Sequence, residues 1–191
     1  MPNIHILAED VRNKIAAGEV IERPASVVKE LVENAIDAGA DNIIVAIENG
    51  GKDLIRVIDN GCGMNADDAM LAFERHSTSK IKRVEDIIHI SSLGFRGEAL
   101  PSIASVSKLH LVTRTAEEEM ATIVEYANGK LINVTKTAAN TGTAVTVRGL
   151  FKDLPARRKF LKTAQVEARH ILKYIHYQAL VYPQISFRLV I

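Results

Sequence analysis

Pro24-Ala25-Ser26-Val27-Val28-Lys29-Glu30-Leu31-Val32-Glu33-Asn34-Ala35-Ile36-Asp37-Ala38-Gly39 is the stretch that decides the fold. Pro24 suits a first helical position, Glu30 and Glu33 follow, and Gly39 supplies the stop, so a helix is predicted here. At a step of about 100° per residue, Val27, Val28, Leu31, Val32, Ala35, Ile36 and Ala38 fall in one half of the wheel and form the face that packs on a sheet. Lys29 and Glu33 fall on the other side and are expected to face water. Glu30, Asn34 and Asp37 cluster at the border of the apolar stripe, half out of solvent. A carboxylate and an amide four residues apart point there to the same spot. The carboxylate can act as general base on a water, and the amide oxygen is a neutral ligand suited to Mg²⁺. On this helix alone, a merely solvated flank is the plainer reading.

Working outward, strands are predicted at 42–48 and 54–59, joined by Asn49-Gly50-Gly51, since Asn-Gly between apolar runs signals a hairpin. Residues 61–97 are rich in Ser, Gly and charge, with short helical pieces at 66–73 and 84–88. A connection of that length reads as a functional lid or binding loop. A helix at 97–104 follows, then strands at 108–113, 121–126, 131–135 and 143–148, with Asn128-Gly129 as a second turn. A long helix at 165–181 and a strand at 186–191 close the chain. Upstream, residues 10–19 read as a short helix. Helices and hairpin-linked strands in this order predict an α+β fold: a two-layer sandwich of a largely antiparallel mixed sheet with helices on one face.

A chain of 191 residues can bury the core of one domain. Its 24 Lys and Arg are matched by 23 Asp and Glu, which excludes a whole-surface affinity for nucleic acid or acidic membranes. Any DNA contact must be local. Lys152, Arg157, Arg158, Lys159, Lys162, Arg169 and Lys173, against Asp153 and Glu167, form such a patch, suited either to phosphate contact or to a solvated helix face. The single cysteine, Cys62, excludes an internal disulfide and fits a reducing setting. No apolar run approaches the ~20 residues that span a bilayer, and residues 1–10 lack the pattern of a secretory signal. A soluble cytoplasmic protein of a bacterium is expected, associated with the nucleoid, or a nuclear one if the source is eukaryotic.

Three Gly-rich segments could carry chemistry. Asp59-Asn60-Gly61-Cys62-Gly63 follows the strand bearing Ile55, Val57 and Ile58, so Asp59 stands at a strand end, where it can accept a hydrogen bond from an exocyclic amine. Gly61 and Gly63 permit close backbone approach; a plain turn is the competing reading. Cys62 between them is expected to be a small buried filler. Leu93-Gly94-Phe95-Arg96-Gly97-Glu98-Ala99-Leu100 runs into a helix whose N-terminal N–H groups can hold an anion. It is neither the phosphate loop ending in Gly-Lys-Ser/Thr nor the dinucleotide fingerprint. Glu98 is expected to serve the helix dipole, and His76 to pack structurally. Asn140-Thr141-Gly142-Thr143 precedes a strand, where Thr143 can bond a ligand or cap a turn.

Taken in order, the Glu-x-x-x-Asn helix, Asp-x-Gly-x-Gly, Gly-rich lid and Gly-Thr before a strand resemble the ATPase superfamily of gyrases, large heat-shock chaperones, histidine kinases and MutL proteins (the GHKL, or Bergerat, ATP-binding fold). Within it the chain resembles the MutL mismatch repair family. Residues 13–26, 30–39, 59–63, 94–100 and 155–161 carry that likeness. The resemblance implies one ATPase domain over 1–191, with an N-terminal arm at 1–20 and an ATP lid within 61–97; a second domain and a C-terminal domain are expected beyond. It implies that Glu30 is the general base for water attack on the γ-phosphate and that Asn34 holds the Mg²⁺ bridging the phosphates. Asp59 would bind the adenine amine, helped by Thr143 and ordered water. Asp37 and Ala38 would line the base pocket, with Gly61 and Gly63 letting base and sugar approach. Thr78, Ser79, Lys80, Leu93, Gly94, Phe95, Arg96 and Gly97 would close over the phosphates. Arg157, Arg158 and Lys159 would touch DNA non-specifically.

The same likeness implies slow, Mg-dependent hydrolysis that switches conformation and drives homodimerisation. It would link a MutS-type mismatch-recognition protein to a downstream nuclease or helicase. A lysine reaching the γ-phosphate is expected from the second domain, so this chain alone should bind nucleotide but hydrolyse it weakly. Two other readings compete. A type II topoisomerase subunit or a histidine kinase is weakened by the 16–26 run, the Gly-Phe-Arg-Gly lid and the lack of a phospho-acceptor helix. A nucleotide-gated module without catalysis would be marked by loss of Glu30, which is present.

Overall fold

In a computed structural model of the chain, residues 17–18, 20–74, 77 and 97–191 are described. Seven strands form one sheet in the order β5-β4-β3-β6-β2-β1-β7. They are β1 (Asn42–Glu48), β2 (Leu54–Asp59), β3 (Lys108–Arg114), β4 (Ala121–Ala127), β5 (Lys130–Thr137), β6 (Gly142–Arg148) and β7 (Ser186–Val190). Every pairing is antiparallel except β1 with β7. The helices are α1 (Pro24–Asp37), α2 (Ala66–Leu71), α3 (Ala99–Ser105), α4 (Pro155–Phe160) and α5 (Ala164–Val181). The α+β sandwich with a mostly antiparallel mixed sheet is therefore present.

Alternation along the strands decides which face is covered. Ile43, Val45 and Ile47 of β1, Ile55 and Val57 of β2, Leu109 and Leu111 of β3, Val124 of β4, and Val145 and Val147 of β6 all point to one buried face. Val27, Val28, Leu31, Val32 and Ala35 of α1 pack against it, as the wheel requires, and Ile103 of α3 joins the same core. The ring of Phe73, just past α2, stacks on Tyr126 of β4 with centroids 4.3 Å apart. Between β1 and β2 the Asn49-Gly50-Gly51 connection is a 3-10 turn, with Asn49 and Gly50 in left-handed conformations.

Three expectations need correction or extension. Glu33 does not face water: it is only 8% exposed. A single-helix wheel cannot register a second helix, and α5 lies across this side of α1. Tyr174 of α5 donates its hydroxyl to the Lys29 carbonyl at 3.4 Å, and Lys29 Nζ pairs with Glu33 at 3.0 Å. Burial raises the Glu33 carboxyl, and Lys29 offsets this only in part. Second, α4 was not among the predicted helices, although Pro155 opens it at a first helical position. Third, the helical piece at 84–88 and all but residues 17 and 18 of the helix expected at 10–19 lie outside the described residues. No described helix is long and apolar enough to cross a membrane.

The basic patch also resolves differently residue by residue. Arg157 is half-buried: it donates Nη1 to the Ile21 carbonyl at 3.2 Å and lies over the Phe151 ring. Its guanidinium fills the space where a side chain at Gly18 would go. Arg158 pairs with Asp53 at 3.3 Å, and Lys159 is exposed. Arg157 thus ties α4 to the segment that leads into α1. Arg157→Ala should therefore destabilise the fold by about 1–2 kcal/mol, from one lost hydrogen bond and a cation–π contact. Chemical denaturation checks this: an unchanged midpoint would show that the tie is idle.

Candidate active site

The site grows from the C-terminal end of α1 and the end of β2. The helix stops at Asp37, and the Ala38 carbonyl accepts the Cys62 N–H at 2.9 Å. This bond fastens the Asp59–Gly63 loop to the helix. Gly61 must be glycine, because an added Cβ would stand 2.8 Å from both the Cβ and the carbonyl oxygen of Ala38. At Gly63 φ is 69°, and a Cβ would run into the Arg114 carbonyl. Asn60 braces the loop from the other side. Its Oδ1 accepts the N–H groups of Asp41 and Asn42 at 3.1 and 3.0 Å, and its Nδ2 donates to Asp41 at 2.7 Å. Sequence reasoning passed over Asn60, whose value lies entirely in contacts almost twenty residues away.

Register then builds a polar row across the covered face. Asp59 pairs with Thr143, Thr143 with Thr113, and Thr113 with Thr122. Partners directly opposite share a face, and Asp59 follows Ile55 and Val57 on the helix side. The backbone N–H of Gly61 bonds the Asp59 carboxylate at 2.9 Å, and that of Thr143 adds a favourable interaction with it. Burial pushes this carboxyl above its ordinary range, and the two N–H groups draw it back only in part. A desolvated acid held by the backbone at a strand end is a preset acceptor for a donor entering the cleft.

Glu30, Asn34 and Asp37 are all half-exposed along one border of α1, as the wheel requires. Eight residues of helix rise about 12 Å, so Glu30 stands a ligand's length from the loop that Ala38 contacts, with Asn34 between. Lys29 Nζ lies 3.5 Å from Glu30 Oε1 but nearer to Glu33. Among the described residues no cluster of His, Cys, Asp and Glu could enclose a metal. A single amide ligand fits a cation that takes its other oxygens from phosphates and water, the habit of Mg²⁺.

Of the segment expected to close over the phosphates, Thr78, Ser79, Lys80, Leu93, Gly94, Phe95 and Arg96 lie outside the described residues, as does His76. Gly97 is described: its backbone, at φ 60°, rests against that of Ser77, so the two residues flanking 78–96 meet. Glu98 occupies the N-cap position of α3. Cys62 is exposed rather than the buried filler expected. Its N–H faces Ala38 while its side chain turns outward.

The family model of histidine kinase-, DNA gyrase B- and HSP90-like ATPases matches residues 21–147, the span holding every described element of the site. The chain belongs to that family. As a member it is an ATPase domain, and its likeness within the family is to MutL. It is 54% identical over 189 residues to the DNA mismatch repair protein MutL of Koribacter versatilis and 56% identical to that of Solibacter usitatus. Each alignment covers 99% of this chain and 29% of the relative, so the chain spans under a third of their length. Among solved structures it resembles the Aquifex aeolicus MutL ATPase domain complexed with ADP, at 39% identity and TM-score 0.72. That match covers 90% of this chain and 60% of the other. It also resembles the N-terminal domain of a DNA repair protein, at 34% identity and TM-score 0.78, covering 93% of this chain and 51% of the other.

Proposed function

We propose that this ATPase domain binds ATP and hydrolyses it slowly with Mg²⁺, as a conformational and dimerisation switch in DNA mismatch repair. The observation that carries the reading is the Ala38–Cys62 bond, which brings the Asp59 loop to the end of the helix bearing Asn34 and Glu30. Asp59 and Thr143 take the adenine edge, and Asp37 and Ala38 line the pocket beside Gly61 and Gly63. Asn34 holds the Mg²⁺, which neutralises phosphate charge when bound. Glu30 orients the attacking water and takes its proton. Thr78, Ser79, Lys80, Leu93, Gly94, Phe95, Arg96 and Gly97 would close over the phosphates. In this scheme the protein mostly positions the water and stabilises charge.

The MutL relatives support a place for the chain between a MutS-type mismatch-recognition protein and a downstream nuclease or helicase. Two copies would join through the arm at residues 1–20 once ATP is bound, so that ATP shifts a population. DNA contact rests on Arg157, Arg158 and Lys159, and its affinity should fall steeply with salt.

The test is a calorimetric titration of the chain with a non-hydrolysable ATP analogue, with and without Mg²⁺. Mg²⁺ should tighten binding in wild type, and Asn34→Ala should abolish that gain while leaving Mg-free binding in place. Mg²⁺ enhancement that survives Asn34→Ala would remove the metal role assigned to Asn34.

A further inference from the structure

Thr113 is 1% exposed, and its hydroxyl meets three groups. It receives the Met64 N–H at 2.9 Å, lies 3.1 Å from the Gly142 carbonyl oxygen, and lies 3.0 Å from Thr143 Oγ1. A hydroxyl has one proton and two lone pairs. The Met64 N–H can only donate and the Gly142 carbonyl can only accept. All three contacts are bonds in one arrangement alone: Thr113 gives its proton to Gly142 and accepts from both Met64 and Thr143. The alternative, Thr113 donating to Thr143, sets two buried acceptors face to face at 3.1 Å, an expensive state away from water.

We propose that Thr113 is a positioning residue that commits the Thr143 proton inward, so that Thr143 presents only lone pairs to the cleft beside Asp59. This rests on the nucleotide reading above. The base edge then meets two adjacent acceptors, the Asp59 carboxylate and Thr143 Oγ1. A 6-amino purine can give one amine N–H to each acceptor, whereas a 6-oxo purine sets an acceptor oxygen at that position and has only its N1–H to offer one of them. Asp59 thus supplies part of the discrimination, and the Thr113–Thr143 pair supplies the rest.

The experiment measures the Kd of the full chain for ATP and for inosine triphosphate, which carries the 6-oxo group. Wild type should prefer ATP. In Thr113→Val the Thr143 hydroxyl is free to turn outward and donate, so the preference should shrink about tenfold, the scale of one buried hydrogen bond. Thr113→Ser should restore it. Should the Val variant not fold, Thr113→Ala removes the hydroxyl without adding a methyl and is read the same way. Loosening of the Met64 loop alone would weaken both ligands equally. An unchanged ATP-to-inosine-triphosphate ratio in the folded variant, with wild type binding ATP, overturns this inference and leaves the nucleotide reading standing. A wild-type chain that binds neither triphosphate overturns both.

Discussion

Glu30→Ala is expected to lower ATP turnover by about 10²–10⁴-fold, the range spanned by loss of a positioned general base, while ATP affinity stays within a few-fold of wild type. The separation follows from geometry. Glu30 sits two turns up α1 from the loop that holds Asp59, so its removal spares the contacts around Asp59 and Ala38. Nor does removal leave a stranded charge. Lys29, which touches Glu30 at 3.5 Å, keeps its closer partner Glu33 at 3.0 Å. Single-turnover hydrolysis alongside equilibrium binding reads the two effects separately. Equal loss of binding and turnover would make Glu30 a structural residue and return the chain to the class of nucleotide-gated modules without catalysis.

Asp59→Asn should weaken ATP binding about ten- to a hundredfold, from loss of a charge-assisted hydrogen bond, and yet leave the protein at least as stable at neutral pH. Burial holds the Asp59 carboxyl above the ordinary aspartate value of 3.8, so the fold favours the protonated acid. That contribution is complete below pH 3.8 and is lost as pH rises through the higher folded-state value. At neutral pH the ionised side chain is therefore a cost, one retained at a binding site and absent from a neutral amide. Asn can still accept the Gly61 and Thr143 N–H groups through its carbonyl oxygen. The thermal midpoint of the variant at pH 7 should equal or exceed that of wild type, with the gap closing as the buffer is acidified towards pH 4. A variant that unfolds more readily at pH 7 while keeping its ATP affinity would show that Asp59 serves the fold and not a ligand.

Legibility in the sequence tracked the range of the interactions concerned. The α1 stripe, the β1–β2 hairpin and the order of seven strands could be read because helical and strand periods are local and repeat within a few residues. Glu30, Asn34 and Asp37 at the border of α1, and Asp59 at a strand end, followed from the same local rules. Cys62 went the other way: two flanking glycines suggested a small buried filler, but the loop's bond to Ala38 turns its side chain to solvent.

What the sequence by itself determined, then, is the set of elements, α4 apart, and the chemistry each one offers. Tertiary structure alone decided which of them meet. Strand register set Thr113 against Thr143 from thirty residues away, packing of α5 on α1 buried Glu33, and docking of α4 turned Arg157 inward onto Ile21. These contacts join residues distant along the chain, and their free energy comes from excluding water at junctions that exist only once the sheet and helices have closed on one another.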